Sequence, residues 1–593
     1  MMSSITIRIS DVIAQGGNID TFFGEIQAQS YICDEIIGLI DVDATLIPSR
    51  GLYVGASSHV KRIVLKGNTK ETTILQINSS ICYADVDDCI IGIKGANNRF
   101  IDVEIGDLSI VTDIIPSDIP SGDVPKIIRY ESYLVKIYRA KRIHIHDVCI
   151  HAENIPTTCL NIRKAHNIHI HDSEFINYNR CSTGGGIWLE GDIIHARIHH
   201  NVVRKYGNDE ALAMWCVNNL DGCNEDLAYA VKRDVQICFN QFYNEKLIES
   251  DAWTGVNDVF LKIYTDQTAN KRIINDKIVD NPVPTFHTVE GLLIANNEFR
   301  MNAKVSHVIE LAFDKYSTVK DIAVSRNTIT YGGNWVEVGR EIIDFDINYD
   351  YVYDSTSGQD TYCDEPIRVV GNSVTCGRRV YSTYDGIEDW KHLCLNIRGV
   401  KVLFADNIIT GEQGEYSSTE ADLAHQGIRL LSSYHKGGEI VMVNNHCTGL
   451  QKLGDFRSRL SGVPTKVKLT ALGNYLKGDL RINTETDVVE ADYTLRDNRM
   501  ESDYPILCLK YFAVSGSLIF DGNNVRIVHD RVPSSGNDRG YLYHGSTGGS
   551  VQSMKVVCSG NIFNFPLTNS MYGALPAVAQ LVHKNNCFSD IIE

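Results

Sequence analysis

Three acidic residues, Glu190, Asp209 and Asp251, alternate with three tryptophans, Trp188, Trp215 and Trp253, between Gly184 and Asp258. Two carboxyl groups on either side of a glycosidic bond can hydrolyse it, one giving a proton to the leaving oxygen and the other serving as base or nucleophile. Aromatic faces beside them bind pyranose rings. Asp192, Glu210 and Glu249 lie in the same stretch, and a large insertion follows around Asp221 to Tyr229. Glu190 and Asp209 are therefore the first candidates for acid and base or nucleophile, with Asp251 third. Trp188, Asp192, Glu210, Trp215 and Trp253 are the substrate-binding candidates. The plainer reading is that acidic residues at loop edges are solvated and tryptophans brace the loops.

A second cluster is built from histidine. Ile143-His144-Ile145-His146-Asp147 recurs as Ile168-His169-Ile170-His171-Asp172, 25 residues on. Each pentad alternates apolar and polar residues, so each reads as a strand with isoleucines inward and histidines outward. Stacked in one frame, His144, His169 and Arg197 form one outward column and His146, His171 and His199 the next. Rungs about 4.8 Å apart would let the imidazoles share a metal or anion, or repel once protonated. A solvated ladder, or a face packed on another subunit, is the alternative. No resident metal or cofactor is assigned. The run Asp344, Asp346, Asp350 and Asp354, interleaved with Tyr349, Tyr351 and Tyr353, could hold calcium for a lyase, but its spacing is not that of an EF-hand. Thr183-Gly184-Gly185-Gly186 precedes a strand, which argues against a phosphate loop. No GxSxG motif occurs.

A 25-residue repeat is too short for a repeated domain and points to stacked coils of a solenoid. The frame continues through Asn201, Asn240, Asn297, Asn327, Asn372, Asn407, Asn445, Asn474, Asn498, Asn523, Asn561 and Asn586, with apolar residues such as Phe242, Phe299, Ile329, Val374 and Leu476 two places on. Asparagine tolerates the left-handed backbone that a sharp corner needs, and stacked copies can bond in a ladder. Gaps near 25 residues are bare coils. The gap from 240 to 297 must hold an inserted loop or an unmarked coil.

The segment Asn18 to Tyr31 has Phe22, Phe23 and Ile26 at helical spacing behind Asp20 or Thr21 as cap, a helix suited to closing the end of a stack. The domain reading is a capping segment over 1–46, the solenoid over 47–588 and a tail over 589–593. A net charge of -18 and a pI near 5.5 argue against nucleic acid. The N-terminus lacks the pattern of an export signal, and no apolar run is long enough to span a bilayer, so a soluble protein without membrane insertion is expected. Sixteen cysteines without CxxC or zinc spacing read as reduced, mostly buried thiols.

The order Ile47-Pro48-Ser49-Arg50-Gly51-Leu52-Tyr53-Val54, then Ile63-Val64-Leu65-Lys66-Gly67-Asn68, then Thr72-Thr73-Ile74-Leu75 resembles the N-terminal signature of right-handed parallel β-helix proteins of the pectate-lyase-like class. The resemblance implies an all-β, single-stranded right-handed parallel β-helix with inserted loops. Within that class the chain looks like a phage tailspike or polysaccharide depolymerase. That likeness implies a bacterial surface polysaccharide as partner, a homotrimer, contacts with other virion tail proteins, and assembly in the host cytoplasm into a virion. It leaves three functions open: a glycan-cleaving spike, a non-catalytic adhesive β-helix, and a bacterial polysaccharide lyase or glycoside hydrolase.

Overall fold

The computed structural model describes residues 3–78, 89–96, 99–113, 132–153, 157–178, 185–206, 210–216, 229–244, 259–265, 271–274, 277–280, 286–301, 307–313, 317–331, 341–347, 365–376, 393–398, 401–411, 428–434, 437–457, 465–478, 480, 482–484, 488–502, 509–510, 515–527, 553–564 and 580–588. The two histidine pentads lie on strands Ser132–Glu153 and Thr157–His171, paired in parallel with His144 against His169 and His146 against His171. Strand Ile187–His199 continues the register, with Arg197 beside His169 and His199 beside His171. Both expected columns are present.

The fold is a right-handed parallel β-helix whose strands pair coil upon coil. The chain divides into two compact units, Met1–Arg300 with Tyr316–Val319, and Met301–Lys315 with Lys320–Glu593. In the first unit a coil has three walls, each with an inward apolar column. Val135, Leu160, Ile187, Leu212 and Leu261 fill the first wall. Ile143, Ile168, Ala196, Val235 and Leu292 fill the second, and Ile150, Phe175, Val203 and Phe242 the third. None is more than 1% exposed. Burying each larger side chain contributes on the order of 1.5–3 kcal/mol, so the stack needs no covalent staple. The second unit repeats the scheme with columns such as Val369, Phe404, Met442, Ala471 and Leu495.

The asparagines form the expected ladder, but the left-handed bend belongs to their neighbours. At every one of the twelve corners the left-handed residue is the one before the asparagine: His200, Phe239, Asn296, Arg326, Gly371, Asp406, Asn444, Gly473, Asp497, Gly522, Gly560 and Asn585, with φ between 53° and 69°. That bend turns the asparagine amide inward. In the second unit each Oδ1 from Asn372 to Asn586 accepts the backbone N–H and the Nδ2 of the asparagine one coil earlier, at 2.8–3.1 Å. Nδ2 also donates to a carbonyl of that coil, as Asn407 does to Val369 at 2.9 Å. All four hydrogen-bonding capacities of a buried amide are met. In the first unit Asn201, Asn240 and Asn297 form the same ladder. Because Asn240 bonds Asn297 directly, that gap is one coil with insertions, one of them the hairpin Lys271–Ile274 with Lys277–Asp280.

At the N-terminus the expected helix forms over Ile19–Gln29 and buries Ile19, Phe22, Phe23 and Ile26. Its cap is Asn18, whose side chain accepts from the Thr21 N–H while Thr21 Oγ1 accepts from the Asn18 N–H, so Thr21 completes a capping box. The parallel ladder reaches into this segment: Ser4–Arg8 pairs with Glu35–Leu39, which pairs with Arg62–Lys66. Leu52–Val54 and Thr73–Asn78 are strands, as the N-terminal signature implies. No described helix is long and apolar enough to cross a membrane.

Candidate functional site

On the first wall of the first unit, alternate residues point away from the core. Lys136, Asn161, Trp188 and Ala213 align in one column, and Tyr138, Arg163 and Glu190 in the next. Pointing away from the core here does not mean facing water. Trp188 is 2% exposed, edge-on to Tyr133 with ring centroids 6.1 Å apart, and packed with Cys89 and Ala213. The chain at Gly185 lies directly on the indole, and a Cβ there would collide with Trp188 and with the Glu210 carbonyl. Gly185 and Gly186 thus let one coil lie closely on the next, against the Glu210 and Ala211 carbonyls.

Glu190 is 6% exposed. Asn161 Nδ2 donates to its Oε1 at 2.9 Å, and the Arg163 guanidinium contacts its carboxylate. Arg163 also donates to the Tyr133 hydroxyl at 2.9 Å and lies over that ring. Burial pushes the Glu190 carboxyl above its ordinary value; Arg163, Asn161, Lys232 and Lys136 pull it back only in part. Such a group holds its proton more tightly than a surface glutamate, as an acid acting on a leaving oxygen must. Lys232, 1% exposed, donates to the Gly191 carbonyl, and Asp192 accepts the Val231 N–H at 2.9 Å. Glu210 is also 6% exposed, with its Oε1 3.7 Å from Lys262 Nζ.

The structure thus brings Glu190 and Trp188 to one wall, and holds Asp192 to the following strand. Trp215 lies on strand Leu212–Cys216 in register with Glu190, but its side chain is outside the described residues, as are Asp209, Glu249, Asp251 and Trp253. The acidic run proposed for calcium also falls outside: Asp344 and Asp346 have backbone in strand Glu341–Ile347 only, and Asp350 and Asp354 are not described. Sequence reasoning missed Asn161, Arg163, Tyr133 and Lys136. The histidine register carried back toward the N-terminus would align Arg163 with Gly191; a register shift between Arg163 and Ala165 sets Arg163 beside Glu190 instead, so alternation alone gave no signal for the pair.

In the second unit, His446, Tyr475 and Arg499 follow successive ladder asparagines and line an outer groove with Gly411, Thr448, Gly449 and Lys477. The His446 and Tyr475 rings lie 4.6 Å apart and Arg499 covers Tyr475 at 5.1 Å. Arg499 bonds Glu501 at 2.7 Å, and that bond with one from Tyr475 holds Glu501 below the usual carboxylate range against the opposing effect of burial. The three side chains form a polar aromatic shelf along the groove.

The histidine columns are half-buried. Burial first, then neighbouring imidazoles, hold His144 and His199 below the ordinary histidine value and His169 down to about 4. At neutral pH His144, His169 and His199 are therefore mostly uncharged, which lessens the repulsion that stacked imidazolium ions would feel.

No family model matches the chain, and no curated protein matches it. Among solved structures it is similar to the crystal structure of the Agl-KA catalytic domain, at 8% identity and a TM-score of 0.26, over 99% of this chain and 70% of that one. A likeness of that size carries no functional argument.

Proposed function

We propose that the chain is a glycan-binding and glycan-cleaving β-helix, a tailspike-like virion appendage that works as a homotrimer with other tail proteins on a bacterial surface polysaccharide. The observation that carries the reading is Glu190: a carboxyl on the non-core side of a wall, nearly closed to water, held by Asn161 and Arg163 and driven by burial toward its protonated form. A group so placed serves as the acid of glycoside hydrolysis, and Asp209 is proposed as its base or nucleophile. Asp251 is a third carboxyl for the same task. Asp192, Glu210, Trp188, Trp215 and Trp253 are proposed to shape the substrate cleft. The His446, Tyr475 and Arg499 shelf supports glycan contact on the second unit.

A non-catalytic adhesive protein is the second reading, favoured by the contact between Glu190 and Arg163, which a purely structural pair would also make. Reducing-end release from capsular polysaccharides, with an absorbance scan for unsaturated product, separates the cases. Ends without absorbance mean a hydrolase, ends with absorbance a lyase, and neither, with retained binding, an adhesive protein. Glu190→Gln and Asp209→Asn are each expected to abolish turnover, and full activity in both would remove them from the site.

A further inference from the structure

We propose that His144, His169 and His171 form a binding site for one divalent late transition-metal ion on the second wall of the first unit, independent of the glycan reading. A ring nitrogen of each lies within 4.8 Å of a ring nitrogen of the other two. Parallel register produces this proximity: His144 and His169 occupy one column, and His171 sits two residues along in the next. The side chains lean across the columns, so that His144 Nε2 and His171 Nε2 stand 2.8 Å apart while the rings of His144 and His169 stack at 5.3 Å.

Two features point to an ion. The first lies behind the ligands. His171 Nδ1 is 2.6 Å from Asp172 Oδ2, so that nitrogen carries the ring proton and Nε2 presents its lone pair outward. A carboxylate behind a histidine is the usual support of a metal-bound imidazole. Asp172 is fixed in that place by its left-handed backbone at the corner, φ 52°. The same support recurs one coil earlier, where His146 Nδ1 lies 3.0 Å from Asp147 Oδ2.

The second feature is the spacing. Nitrogens about 2.0–2.1 Å from a metal are about 2.9 Å apart at right angles and about 3.4 Å apart in a tetrahedron. At 2.8 Å His144 Nε2 and His171 Nε2 share a hydrogen bond that a bound ion would replace, and that edge is close to the right-angled value; neutral imidazole ligands suit nickel or copper(II). Nearby cations are each paired with a carboxylate. Lys66 and Arg62 are paired with Glu104 at 2.7 and 2.9 Å, and Arg197 with Asp234 at 2.8 Å.

Equilibrium dialysis of the full chain against nickel or copper(II), with magnesium as control, tests the site. One tightly held nickel or copper ion per chain is expected, and copper(II) should show electron-spin coupling to at least three nitrogens. His144→Gln with His171→Gln should abolish that binding, whereas His59→Gln, on an exposed ring elsewhere, should not. Asp172→Asn leaves every ligand in place and should weaken affinity about 10–100-fold. Absence of a stoichiometric ion from the wild-type chain, fewer than three coupled nitrogens, or unchanged binding in the double variant would each overturn the site. The first two measurements need no variant to fold.

Discussion

Replacing Glu190 by glutamine distinguishes an acid at work from a structural ion pair. If Glu190 and Arg163 were a buried pair kept for stability, removing one partner would cost about 3–5 kcal/mol. The structure argues otherwise. Burial outweighs Arg163 and Asn161 and raises the carboxyl above its ordinary 4.5, so the folded chain binds this proton more tightly than the unfolded chain does. The stability linked to Glu190 is therefore complete below 4.5 and is lost as pH climbs through the raised value, with a slope of at most about 1.4 kcal/mol per pH unit. Glutamine mimics the protonated form and can keep the Asn161 bond, while Arg163 retains the Tyr133 hydroxyl and ring. At pH 7 Glu190→Gln should thus unfold no earlier than wild type, with turnover down by at least about 100-fold. Arg163→Met should behave in the opposite way. It leaves the carboxylate buried without its counter-charge and should cost about 3–5 kcal/mol at pH 7, shrinking toward pH 4 as Glu190 protonates. Denaturant midpoints from pH 4 to 8, read beside reducing-end assays, give both quantities. A loss of about 3 kcal/mol or more in Glu190→Gln, with activity retained, would refute the reasoning and make the pair a staple.

Three further outcomes follow from the walls and corners. Asn407→Ala removes four hydrogen bonds, two given and two accepted, and at about 1 kcal/mol each should open its coil by about 4 kcal/mol in amide hydrogen exchange. Asp406→Asn beside it, where asparagine tolerates the φ of 54°, should change little, and equal effects at the two positions would contradict the ladder. Tyr475→Ala should weaken oligosaccharide binding about tenfold by calorimetry, with Tyr475→Phe near wild type; no loss would exclude the shelf. Cys159 and Cys376, pushed by burial to about 12, should resist alkylation in the native protein at pH 7.5 while exposed Cys587 reacts, as peptide mass analysis would record.

Much of the architecture could be read before any coordinates. Period-two alternation around His144 and His169 determined strand, face and register together, because a slip of one residue would bury the histidines. The asparagine frame marked every corner from Asn201 to Asn586 and its ladder was foreseen, but the left-handed bend was assigned to the wrong residue. The backbone bend belongs to the preceding residue, whose side chain is free to be His, Phe, Arg, Asp or Gly, so no pattern at that position catches the eye. The site was less legible for a related reason. Alternation tells inside from outside of a coil, but it does not tell whether another stretch lies over the outside. Trp188 and Glu190 lie off the inward column yet are only 2% and 6% exposed, and part of the cover of Trp188 is Gly185, which lies on the indole.

The corner amides bond at the same distances whether the intervening stretch is 24 residues, as from Asn474 to Asn498, or 57, as from Asn240 to Asn297. Length between them is therefore nearly neutral for the scaffold, much as the spacing of pages is fixed by the binding and not by the text. Inserted segments could be exchanged wholesale at such places, so that one insertion would be transplanted without redesigning the frame that carries it.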